Sequence, residues 1–274
     1  NLVKTIYIDQ DKELWVGTFL GGLEKFNQSN QDFIHYKNKQ GVKGTISSNN
    51  VYCMLHDSQR RFWVGTTRGL NLLDKKNIKF SQPDASKGNN SAICKSIIRC
   101  IHEDRQKNIW VGAIGGLYFL KYKSDAFTRL NFSNSPNCIT EDESGNIWIG
   151  FYYGGITCYN PETKKLENWR MKNGLPNDNI LGILTEKPGI LWLSTDKGIS
   201  RFDTKKKTFK NYNSNDGLPG NVFNENSYYK NKAGRMFFGG FSGLVSFFPA
   251  QFHQNHYAPA AIFTGIKLFN KTIA

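Results

Sequence analysis

The chain is a succession of short apolar runs that alternate with polar residues. Each run is cut off by a turn rich in Gly, Asn and Asp, the pattern of half-buried strands. No stretch carries the 3.6-residue apolar period of a helix, so no helix is predicted. The pattern also repeats. "ELWVGTFLGGLEKF" around Trp15 returns as "RFWVGTTRGLNLL" around Trp63, "NIWVGAIGGLYFL" around Trp110 and "NIWIGFYYGGITCY" around Trp148. It returns again as "ILWLSTDKGISRF" around Trp192 and as "RMFFGGFSGLVSF", where Phe237 takes the aromatic position. The spacings are 48, 47, 38, 44 and 45 residues.

Each unit predicts four strands. A first apolar strand such as "VYCMLHD" leads to a turn with an acidic residue six before the Trp, namely Asp9, Asp57, Asp104, Asp142 or Glu186. The Trp strand, a tight turn ending in Gly, and a third strand such as "GITCYN" follow. A fourth carries an aromatic or apolar pair, as in Phe33 with Tyr36 or Leu166 with Trp169. Four short antiparallel strands per unit of about 45 residues predict an all-β fold, a β-propeller of four-stranded antiparallel blades. Six repeats fill residues 1–250. A sheet of four strands cannot bury both faces alone, so the Trp is read as the large filler between blades. Four residues before the acidic position stand Thr5, Cys53, Cys100, Cys138, Gly182 and, in the sixth unit, Ser227. Three of the five cysteines thus read as small core residues. The odd count and the absence of CxxC argue against a disulfide framework and a zinc knuckle.

The unit D-x-x-G-x-[IL]-W-[IV]-G-T-x-x-G-[LI] resembles the two-component regulator propeller repeat. The linkers "NGLPNDNI" and "DGLPGNVF" resemble that family's inter-blade loops. The resemblance implies the sensor region of a hybrid two-component system histidine kinase/response regulator of polysaccharide-degrading gut bacteria. It further implies a periplasmic ectodomain of an inner-membrane receptor, a receptor homodimer, contact with the membrane only through the parent chain, and kinase chemistry outside this segment. Family propellers usually have seven blades, against six repeats counted here. Residues 251–274, with "AIFTGIKLF", resemble the exit linker and first strand of a following β-sandwich module. The chain does not begin with Met, as expected of a piece of a longer or processed protein.

Catalytic, metal-binding and cofactor roles find no support in the residues. The acidic residues recur once per unit at one turn, as structural turn residues do, whereas a glycosidase needs two converging carboxylates. "DQDKE" at 9–13 lacks the Gly and distal Glu of a calcium loop. The five histidines show no HExxH spacing, and no Gly-rich phosphate loop precedes a helix. No catalytic, metal or cofactor residue is therefore assigned. Net charge is +14, but Lys and Arg are dispersed and the aromatics fall in core columns, which argues against nucleic acid.

Alternation of strand direction puts the turns between second and third strands on the same face as the linkers between units. These tips vary, whereas the acidic turns on the opposite face are uniform, and variable loops suggest recognition. Arg68, Tyr152, Tyr153, Asp196, Lys197 and Phe241 are the candidate ligand-binding residues there. Flat rings beside polar groups suit an oligosaccharide, with an acidic one weakly favoured by the charge. Arg68 and Lys197 would pair with its anionic groups. The alternative is a propeller that serves only as a structural or dimerisation platform.

Overall fold

The computed structural model describes residues 2–251, 266–268 and 271–273. The first sheet pairs β1 (Leu2–Ile8), β2 (Leu14–Phe19), β3 (Gly22–Asn27) and β4 (Asp32–Tyr36). The second pairs β5 (Val51–His56), β6 (Phe62–Thr66), β7 (Gly69–Asp74) and β8 (Lys79–Ser81). A four-residue helix, α1 (Asn90–Ile93), leads to β9 (Ile98–Glu103), β10 (Ile109–Ala113), β11 (Gly116–Leu120) and β12 (Thr128–Leu130). The fourth sheet is β13 (Pro136–Glu141), β14 (Ile147–Phe151), β15 (Ile156–Tyr159) and β16 (Leu166–Trp169). The fifth is β17 (Ile180–Lys187), β18 (Ile190–Thr195), β19 (Gly198–Asp203) and β20 (Thr208–Tyr212). The sixth has three strands among the described residues, β21 (Phe223–Lys230), β22 (Met236–Gly240) and β23 (Gly243–Phe247). It is thus one strand short of the expected four.

All pairings are antiparallel between sequence neighbours. The first strands β1, β5, β9, β13, β17 and β21 touch in cyclic order, and β21 also touches β1. This is a β-propeller with the first strands innermost. The helix α1 and three 3₁₀ turns, Met171–Asn173, Ser214–Asp216 and Pro249–Gln251, depart from the helix-free expectation. All four lie between or after the sheets, where a single turn has no apolar face of its own to leave a period in the sequence.

The repeated carboxylate has a second role beyond the turn. Asp9 Oδ1 accepts the backbone N–H groups of Asp11 and Glu13, closing the tight turn. Its Oδ2 accepts the indole N–H of Trp15 at 2.9 Å. Asp57 with Trp63, Asp104 with Trp110, Asp142 with Trp148 and Glu186 with Trp192 repeat that bond at 2.8 Å. The five Trp side chains are only 0 to 3% exposed, so each indole N–H needs a partner inside the protein. In the sixth repeat Phe237 has no N–H to satisfy, and the matching position is Asn231, which keeps only the turn bond from Arg235 N.

Each Trp reaches a ring of the next sheet. The pairs are Trp15–Phe62, Trp63–Phe127, Trp110–Tyr159, Trp148–Phe202 and Trp192–Phe247, with centroids 4.7 to 6.0 Å apart. Near the axis the Gly of the Trp strand lets the next sheet approach. A Cβ on Gly65 would run into Cys53 Sγ and Ile98, and one on Gly112 into Cys100 Sγ and Pro136. All five cysteines are free thiols. Burial raises Cys53 and Cys138 well above the ordinary thiol value and pushes Cys100 up to about 12, which makes them inert packing groups.

The sheet-to-sheet packing is incomplete at one place. The apolar residue after the third-strand Gly is Leu23, Leu70, Leu117, Ile156 or Ile199, each 0 to 1% exposed, whereas Leu244 in the sixth sheet is 66% exposed. Ile6 in β1 is also 66% exposed, while its counterparts Met54, Ile139 and Ile183 are buried. The inner edges of the sixth and first sheets touch, but their apolar faces do not cover each other. Ile266–Leu268 and Lys271–Ile273 pair with each other antiparallel; of the rest of the expected exit linker and strand at 251–274, only Gln251, in a 3₁₀ turn, falls within the described residues.

The indole–carboxylate bond generates two predictions. Trp148→Ala is expected to cost about 3–5 kcal/mol in urea unfolding, from a cavity plus an orphaned carboxylate. Trp148→Phe combined with Asp142→Asn, which copies the sixth repeat, is expected to cost less than the sum of the two single changes; strict additivity would refute the coupling. The second concerns pH. Burial alone would raise the pKa of Asp9 and of Glu186. Hydrogen bonds from Lys75 to Asp9 and from Arg201 to Glu186, together with the indoles, outweigh it and leave both below the ordinary carboxylate range. A depressed carboxylate stabilises the fold above its ordinary pKa and loses that contribution as pH falls through its folded value. Melting temperature by circular dichroism should therefore drop in acid, and Asp9→Asn with Glu186→Gln should flatten that drop.

Candidate functional site

The tips between second and third strands and the starts of the first strands meet on one face, as strand alternation requires. There they line an open cleft of about 550 Å³ bounded by Tyr152, Tyr153, Asn179, Asp196, Glu225 and Phe241, with Leu2, Val3 and Lys4 at one side. Four of the six sequence-predicted residues, Tyr152, Tyr153, Asp196 and Phe241, are thus brought together. The other two are not. Arg68 is exposed on the tip of the second sheet, far around the ring from the fourth to sixth. Lys197 is exposed beside Asp196 but does not line the cleft.

Tight turn chemistry sets the tips. Thr195 Oγ1 donates to Gly198 O and accepts from Lys197 N, and Thr66 does the same with Gly69 and Arg68. The fourth sheet lacks that Thr and carries the longer "FYYGG" turn, in which Tyr153 takes φ +54°. That left-handed backbone is uncommon for a bulky residue. It holds Tyr153 58% exposed, its ring 4.3 Å from that of Tyr152 in an edge-on contact.

Beneath the rings runs a polar line that sequence reasoning missed. Arg99, on β9, donates from Nη1 to Glu225 Oε1 at 2.9 Å and to Asn137 Oδ1 at 3.1 Å. Its guanidinium lies 5.3 Å from the Tyr152 ring centre. Asn137 Nδ2 donates to Asn179 Oδ1, and Asn179 Nδ2 to Asp196 Oδ2 at 2.7 Å. The line crosses the axis from the sixth sheet through the third and fourth to the fifth. Near it the Tyr228 ring, from the sixth sheet, packs close against Gly182 of the fifth. Burial raises the Tyr228 hydroxyl well above its ordinary value, helped by the nearby thiols of Cys138, Cys100 and Cys53. No local motif announces Arg99, because its partner lies 126 residues away.

On the opposite face, Asp9, Asp11 and His56 gather within 4.8 Å. Lys75 Nζ already sits 2.5 Å from Asp9, 2.6 Å from Asp11 and 2.7 Å from Glu13, so a side-chain cation serves these carboxylates. His102 is half-buried, and loss of solvation lowers its pKa to about 4, against the pull of Asp104.

Residues 45–68, 93–115 and 131–153, which hold Trp63, Trp110 and Trp148, match the family model described as two component regulator propeller. These three stretches of the chain thus match two-component regulator propeller repeats. It is 25% identical over 266 residues to histidine kinase P4 of Formosa agariphila, covering 97% of this chain and 17% of that protein. The extracellular domain of one hybrid two component system from B. thetaiotaomicron superposes on 91% of the chain at a TM-score of 0.75 with 26% identity. A second such domain from B. thetaiotaomicron covers 99% at a TM-score of 0.70 with 22% identity, a likeness of fold. The chain spans about a third of the length of these two structures, 34% and 37%. Among the described residues no helix is long and apolar enough to cross a membrane.

The axial line generates one prediction. Arg99→Gln and Glu225→Gln should each destabilise the propeller, by about 1–3 kcal/mol for loss of a hydrogen bond to a charged group. The double variant should cost less than their sum in a urea double-mutant cycle. Additive costs would mean that the pair carries no coupling across the axis.

Proposed function

We propose that these propeller repeats form part of the extracytoplasmic sensing region of a hybrid two-component receptor, and that the axial cleft binds an oligosaccharide. The stretch performs no chemistry of its own in this reading; the kinase belongs to another part of the receptor, which is anchored in the inner membrane, faces the periplasm and acts as a homodimer. The observation that carries the reading is the convergence of Tyr152, Tyr153 and Phe241 with Asn179 and Asp196 in one open cleft. Exposed rings stack on sugar C–H faces while amides and carboxylates take hydroxyls. The resemblance to extracellular domains of hybrid two component systems supports the sensing context. A ligand there would touch three sheets that the line from Glu225 to Asp196 ties together, so binding could stiffen the ring as a unit.

The uncovered faces at Ile6 and Leu244 favour a second reading, in which the propeller is a packing or dimerisation platform and sensing occurs elsewhere. Isothermal titration of the chain against oligosaccharides, with analytical ultracentrifugation alongside, separates the two. Sensing predicts saturable binding that Tyr152→Ala with Phe241→Ala weakens. Self-association without sugar binding, relieved by Ile6→Ser with Leu244→Ser, would overturn it in favour of the platform.

A further inference from the structure

The cleft's own charges run against the charge of the whole molecule. Of its lining residues only Lys4 is cationic, and its Nζ lies 5.7 Å from the Tyr52 ring centre. Two carboxylates, Asp196 and Glu225, face the same space. The charge of Arg99, just beneath, is met by Glu225 at 2.9 Å. Arg68 and Lys197, the cations that could have held an acidic sugar, lie outside the cleft. The remaining excess of positive charge is spread over the surface, and exposed charges beyond about 8 Å are largely screened at physiological ionic strength.

Resting on the sugar-binding reading above, we propose that this cleft selects a neutral, hydroxyl-rich oligosaccharide and rejects uronate or sulfated ones, with Asp196 the specificity-determining residue. Asn179 Nδ2 holds Asp196 Oδ2, which fixes the carboxylate in the fifth-sheet tip. Among the described residues Asp196 Oδ1 accepts no hydrogen bond and the group makes no ion pair, so that oxygen is open to sugar hydroxyls. A carboxylate accepts but cannot donate. It therefore pairs well with hydroxyl groups and repels an anionic group brought to the same place. Tyr153 and Phe241, the most exposed rings of the cleft, supply the stacking surface beside it.

The test is an array of neutral gluco-, xylo-, manno- and galacto-oligosaccharides beside their uronate and sulfated counterparts, followed by titration of the hits with this chain. Neutral members should bind at least about tenfold more tightly than the matched anionic ones, with little dependence on salt. Asp196→Asn should weaken the neutral ligand and narrow the gap to the anionic one, and Tyr153→Ala should weaken both. Because Tyr153 and Phe241 are exposed, Tyr153→Ala and Phe241→Ala keep the site testable if the Asp196 variant misfolds by circular dichroism. Tighter binding of anionic members, weakening steeply with salt, would overturn this inference while leaving sugar sensing intact. So would neutral binding that ignores all three substitutions. No binding by any member would overturn the sugar reading itself.

Discussion

The fold depends on one bond made five times, from a buried indole N–H to a carboxylate six residues earlier. It joins two requirements that would otherwise compete. The blade needs a large side chain to fill the space against its neighbour, and Trp provides the largest, but Trp brings a donor that cannot be left dry. The hairpin turn needs an acceptor for its own backbone N–H groups, and Asp provides two oxygens. In the first four repeats one oxygen closes the turn while the other meets the indole; in the fifth, Glu186 meets the indole and Arg201 instead. The sixth repeat shows the two needs separating: Phe237 brings no donor, and Asn231 serves the turn alone. Where a cation also reaches the carboxylate, as Arg61 does at Asp57 and Lys75 at Asp9, the buried charge is paired rather than isolated.

Close approach at the axis follows from small residues on both sides. The Gly of the Trp strand and the Cys, Thr or Ser of the first strand leave a slot, and the β-branched or Pro residue of the next first strand, such as Val51, Ile98, Pro136 or Ile180, enters it. Cysteine suits this column because its sulfur fills more than Ser would and carries little desolvation cost as a thiol. At Gly182 the slot is wider, and Tyr228 from the sixth sheet occupies it.

The same packing rule explains what is left open. Each sheet covers the apolar column of its predecessor, so every column is buried only if the cycle of contacts is complete at full depth. Between the sixth and first sheets the main contact is that of the inner strands β21 and β1, and Leu244 and Ile6 are exposed. The cleft borders this place through Leu2, Val3 and Phe241, whereas Tyr152, Tyr153, Asn179 and Asp196 stand on the intact arc.

The blade was legible in the sequence because it is a local object. Strand, turn acid, Trp, Gly and strand fall within about twenty residues, and five near-identical copies fix their register. Even so, the acid was readable only as a turn former; its bond to the indole required knowing that the hairpin folds the Trp ring back over the turn. Which tips share a site was not local. Tyr152, Asp196 and Phe241 converge because sheets four to six are neighbours around the axis, while Arg68 stands on another arc and Lys197 lies outside the cleft's lining. Arg99 meets Glu225 only because the ring brings the third and sixth sheets to the same axis, and a contact across 126 residues leaves no spacing to read. The sequence by itself determined the repeating unit and the face that varies. The tertiary structure decided which of the variable residues meet and what charge their cleft carries, because distance around a ring depends on every blade between.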